Sequence, residues 1–116
     1  MRITFRDPLV QHTAPEDSSF TLTVKFWSDS AEPWTASAPT TVHYRIDCLT
    51  TGTVMVDWTS VSPSASVSLT VSVAANAINQ EANWREKRQV TVKADDALST
   101  QYLGTHCYYV ENNVAV

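Results

Sequence analysis

Glycine is almost missing from this chain, with 2 residues in 116. A glycine-rich phosphate-binding loop cannot be built from Gly52 and Gly104 alone, so nucleotide binding of that kind is excluded. Turns fall instead to Pro, Asp, Asn and Ser. Cysteine is equally scarce, and Cys48 and Cys107 are too few for a disulfide framework or for paired zinc-ligand motifs. They are expected to be free, buried thiols behaving as small hydrophobes, or one bond if the protein works outside a cell. No stretch approaches the roughly 18 apolar residues of a membrane-spanning helix. Basic residues are outnumbered, 8 Lys and Arg against 12 Asp and Glu, giving a net charge of −4. That balance argues against a general nucleic-acid binder, which needs a cationic surplus to neutralise phosphates. The segment Met1 to Pro8 has neither the apolar core nor the small-residue cleavage site of a signal peptide, so synthesis in a reducing cytoplasm is expected.

What is abundant is Thr, Val and Ser, 15, 14 and 12 in number, the first two of them β-branched strand formers. The run Ser66-Val67-Ser68-Leu69-Thr70-Val71-Ser72-Val73 alternates hydroxyl and aliphatic side chains without a break. Period-two alternation puts one face in a core and the other in water, as in an antiparallel sheet. The same pattern recurs along the chain. At this length it fits a single domain spanning 1–116, large enough for one core.

Seven strands can be read. The first is Arg2 to Arg6, and the second is Phe20 to Trp27 with Phe20, Leu22, Val24 and Phe26 inward. A long connection, 28–40, leads to a third strand from Thr41 to Leu49. Thr50-Thr51-Gly52 turns the chain into a fourth strand, Thr53 to Trp58, with Val54, Val56 and Trp58 inward. The fifth is Ser66 to Ala74, with Val67, Leu69, Val71 and Val73 inward. Residues 75–85 form either a short helical turn or an ordered crossover. The sixth strand, Lys87 to Ala94, points Val90 and Val92 inward, and after a turn at Asp95-Asp96 the seventh runs from Thr100 to Glu111. The fold class is therefore all-β: a seven-stranded antiparallel sandwich with the first, second and fifth strands in one sheet and the remaining four in the other. The long second-to-third and fifth-to-sixth connections favour this over a closed barrel, which prefers short hairpins.

No catalytic signature emerges. His12, His43 and His106 are far apart in sequence, and no serine sits in a Gly-x-Ser-x-Gly elbow. His106 and Cys107 are adjacent on a strand and point to opposite faces, so they cannot chelate one ion together. Asp95-Asp96 reads as a turn rather than a carboxylate pair. The expectation is no enzyme, no metal and no cofactor.

Features that can carry contacts are more visible. Half of all Lys and Arg, namely Arg85, Lys87, Arg88 and Lys93, lie in one strand and its approach. They read either as a patch for an acidic partner or as a solvated strand that resists edge aggregation. Trp27, Pro33 and Trp34 flank or lie in the long loop, where Trp34 either anchors a partner or folds back to cap the sandwich. The end of the chain, with Val114 and Val116, either pairs with a neighbouring sheet edge or frays.

The succession Val56-Asp57-Trp58-Thr59, Val61-Ser62-Pro63-Ser64-Ala65, Val67-Ser68-Leu69-Thr70-Val71, Asn76-Ala77-Ile78, Arg85-Glu86 and Gln89-Val90-Thr91-Val92-Lys93-Ala94-Asp95 resembles fibronectin type III and immunoglobulin-like domains. More narrowly, it resembles the small single-domain structural proteins of this type from tailed bacteriophages. The cysteines do not occupy the second and sixth strands as an immunoglobulin pair does, which favours the fibronectin-like variant. The resemblance implies a virion protein made in the host cytoplasm, foremost a capsid decoration or accessory protein, with a tail, neck or head-fibre subunit as alternative. Its partners would be capsid or tail proteins or further copies of itself, with no membrane or nucleic acid. A carbohydrate-binding or adhesion module using Trp27, Trp34 or the late tyrosines is a third reading.

Overall fold

A computed structural model describes residues 1–28 and 34–112. Among these the chain forms eight strands: β1 Arg2–Arg6, β2 Thr13–Pro15, β3 Phe20–Trp27, β4 Thr41–Cys48, β5 Thr53–Val61, β6 Ser66–Val71, β7 Arg85–Asp95 and β8 Gln101–Glu111. They make two sheets, ordered β1-β3-β6 and β2-β8-β7-β4-β5. The expected partition of strands between two layers is what forms.

One strand was not anticipated. Thr13–Pro15 pairs in parallel with Tyr109 to Glu111 of β8, so the larger sheet is mixed rather than wholly antiparallel. Three residues ending in a proline carry too little periodicity to announce a strand.

The core lies between the layers and follows the alternation. Leu22, Val24 and Phe26 of β3 and Val67, Leu69 and Val71 of β6 face Val42 and Ile46 of β4, Val90, Val92 and Ala94 of β7, and Tyr108 and Val110 of β8. At roughly 1.5–3 kcal/mol for each large apolar side chain removed from water, this interdigitated set supplies most of the drive to fold.

Three inward assignments fail where the strand pattern is broken. Val73 is 50% exposed because β6 stops at Val71 and Val73 caps a 3-10 turn, Ala74–Asn76, so the helical-turn reading of the crossover is partly met. On β5, Val54 and Trp58 lie outward, while Met55 and Val56 pack against the core. Register shifts between Tyr44 and Ile46, and between Ile46 and Asp47, insert extra residues on β5 and flip its side chains.

The crossover from β6 to β7 is held by an inward-facing ion pair. Glu86 and Arg88, two apart on β7, both point inside and are fully buried, with Arg88 Nη1 3.0 Å from Glu86 Oε1. Arg88 also donates to the carbonyls of Ala75 at 3.1 Å and Ala77 at 2.6 Å, and to Cys48 Sγ at 3.0 Å. Glu86 accepts from the backbone N–H groups of Asn79 and Gln80 and from the Asn83 side chain. Burial raises the Glu86 carboxyl, but these donors outweigh it and hold it at about 2. Nearby, Tyr108 donates its hydroxyl to Asn76 Oδ1 at 2.7 Å, and Asn76 donates to Ser18 O. Burial pushes the Tyr108 hydroxyl up. The polar residues of the crossover thus satisfy one another inside the fold.

Candidate functional site

On β7 the inward residues Glu86, Arg88, Val90, Val92 and Ala94 alternate with the outward Arg85, Lys87, Gln89, Thr91 and Lys93. The outward set lies on the exposed face of the five-stranded sheet, and each of its three cations sits over an aromatic ring. Arg85 Cζ is 3.8 Å from the Tyr109 ring centroid and 5.3 Å from that of Trp84. Lys87 Nζ is 6.0 Å from Tyr109, and Lys93 Nζ is 4.4 Å from Trp58. These are cation–π distances. They hold the cations against rings instead of leaving them loose in water, and Trp58 and Trp84 are themselves exposed. The neighbouring Arg45 pairs with Asp47 at 3.0 Å.

Arg88 does not belong to this surface. A charge count cannot separate it from Arg85 and Lys87, but strand parity can: it shares its face with Val90 and Val92, and a buried guanidinium requires the ligands that Glu86 and the crossover carbonyls provide.

Trp34 lies over the outer face of the smaller sheet rather than its open end. Its ring lies 6.5 Å from that of Trp27, with Arg2 Cζ 4.0 Å above it, and Trp27 Nε1 donates to Thr4 Oγ1 at 2.9 Å. Pro33, Val114 and Val116 lie outside the described residues.

Cys48 faces the core and Cys107 the outer surface of the same sheet, and both are free thiols. Asp95 and Asp96 close the β7–β8 turn: Asp96 Oδ1 accepts from the N–H groups of Leu98 and Thr100. Those bonds, the Thr100 one foremost, lower its carboxyl pKa.

The expectation that the histidines stay apart fails for two of them. Asp7, at the end of β1, lies between His12 in the β1–β2 loop and His106 on β8: His12 Nδ1 is 2.7 Å and His106 Nε2 2.5 Å from Asp7 Oδ2. Among the described residues this is the group in which three metal-ligand side chains converge. Burial raises the Asp7 carboxyl, but hydrogen bonds from His12, His106 and the Leu9 N–H more than compensate and leave it below its ordinary value. The contact from Asp7 to His106 spans 99 positions, and no local pattern announces it. β1 and β8, in different sheets, meet here only through tertiary packing.

No protein-family model, curated protein or solved structure matches the chain.

Proposed function

We propose that this chain is a non-enzymatic, fibronectin type III-like structural subunit that works by docking the outward face of its larger sheet on an acidic protein surface. Its most specific form is a capsid decoration or accessory protein of a tailed bacteriophage, located on the virion. The observation that carries the docking reading is the row Arg85, Lys87 and Lys93 set over Tyr109, Trp84 and Trp58. Arg, Trp and Tyr are the residues that dominate binding energy when a partner desolvates them. The row of three cations on β7, in a chain of net charge −4, also helps to orient encounter with an acidic partner. The phage assignment is supported by the sequence resemblance, since a fold of this kind by itself names no role.

The test is co-sedimentation of purified protein with emptied capsids. Saturation at a fixed stoichiometry is expected, with affinity that falls as salt rises. A Lys87→Glu/Lys93→Glu variant should fold normally and lose most of the binding. Absence of binding across a range of salt, or undiminished binding by the variant, refutes the reading. Electron microscopy of labelled particles separates a capsid position from a tail, neck or head-fibre position.

A further inference from the structure

The Asp7, His12 and His106 cluster has no part in that docking face. We propose that Asp7 Oδ2, His12 Nδ1 and His106 Nε2 form a binding site for a first-row divalent transition-metal ion, foremost Zn2+, which clamps the β1–β2 loop to β8.

The donor set defines the ion. Two imidazole nitrogens with one carboxylate oxygen suit Zn2+ and its first-row neighbours, whereas Ca2+ and Mg2+ favour oxygen-only shells. The three donor atoms lie within 4.8 Å of one another. Ligands on a tetrahedral ion at about 2.1 Å stand about 3.4 Å apart, so each imidazole needs to withdraw by less than about 1 Å.

The surroundings orient these donors as supporting contacts do in metal centres. The Asp7 side chain is 1% exposed, and its second oxygen is occupied by the Leu9 N–H at 3.0 Å, which turns Oδ2 toward the imidazoles. The His106 ring lies stacked 5.5 Å from Phe5, centroid to centroid. The His12 carbonyl accepts from the Tyr109 N–H at 2.8 Å, tying the loop to β8. His12 itself is 63% exposed and His106 16%, so an ion held here has a route of entry and a coordination position facing solvent. Two histidines donating protons to a single carboxylate oxygen would account for the short contacts alone. What the hydrogen bonds leave open is the use of three converging ligand types at the rim of the fold, which an ion would exploit.

Because Asp7 and His12 come from the segment after β1 and His106 from β8, a bound ion links elements of both layers. Binding to the native state alone shifts the unfolding equilibrium about 100-fold at a free ion concentration 100 times the dissociation constant.

The experiment titrates ZnCl2 into chelator-treated full-length protein in a non-chelating reductant, followed by calorimetry and thermal unfolding. One-to-one binding and a rise in Tm are expected, with no response to MgCl2 or CaCl2. His12→Asn keeps a residue that tolerates the left-handed backbone at this position, φ 53°, and removes the ligand. It should lose zinc binding and the Tm rise while its zinc-free Tm stays close to wild type. NMR of the wild-type rings under the same titration should move His12 and His106 and leave His43 in place. No zinc binding by the wild type, binding retained by His12→Asn, or ring shifts centred on His43 overturns the proposal.

Discussion

Replacing Glu86 by Gln tests whether the crossover is held to the sandwich by a buried charge. Five donors meet the Glu86 carboxylate: the N–H groups of Asn79 and Gln80, the Asn83 amide, Arg88 Nη1 and, at 3.7 Å, the Cys48 thiol. A carboxamide offers one accepting oxygen and turns an NH2 group against donors on the other side. It also leaves the fully buried Arg88 guanidinium without a counter-charge. Breaking a buried pair in this way costs about 3–5 kcal/mol.

The pH dependence gives an independent magnitude. The Glu86 carboxyl lies at about 2 in the fold against an ordinary value of 4.5. At about 1.36 kcal/mol for each pH unit, that is about 3 kcal/mol of stability. A depressed folded pKa means this contribution is fully present above 4.5 and is lost as pH falls toward about 2. Urea unfolding of wild type and Glu86→Gln, from about pH 7 down to about pH 2.5, should therefore show a gap near 3 kcal/mol or more that closes in acid. A gap below about 1 kcal/mol at neutral pH, or one that stays constant into acid, refutes the reasoning.

Three further outcomes are expected. Gly104→Val should destabilise by about 1–3 kcal/mol in urea unfolding, because even a Cβ at 104 meets Ile3 at 3.0 Å and Phe5 at 3.2 Å where β8 passes β1. Gln11→Gly should raise stability by about 0.5–1 kcal/mol, since Gln11 sits at φ 52° in the Val10–Thr13 turn, a left-handed backbone that glycine adopts without the Cβ penalty; an unchanged or lower urea midpoint refutes it. With a thiol reagent, Cys107 should react in the native protein and Cys48 only on unfolding, which mass spectrometry of the labelled peptides distinguishes.

The sequence by itself determined the layers. Alternation is written locally, so β1 and β3 match the expected bounds and the inward residues of β3 stand as read. The division of strands between two sheets also followed from the long connections. Local patterning fails where register, not periodicity, decides. The bulges on β5 turn Val54 and Trp58 outward, and the end of β6 releases Val73. A charge count misleads for a different reason: Arg88 resembles Arg85 and Lys87 until its place on the Val90 and Val92 face is read from strand parity, and the crossover carbonyls then supply its buried partners. Of the candidate surface, three cations on one strand were legible, but the rings beneath them come from β5, β8 and the approach to β7. The Asp7, His12 and His106 cluster was settled only in three dimensions, because it unites the two ends of the chain across the gap between sheets, a juxtaposition set by packing and encoded by no spacing.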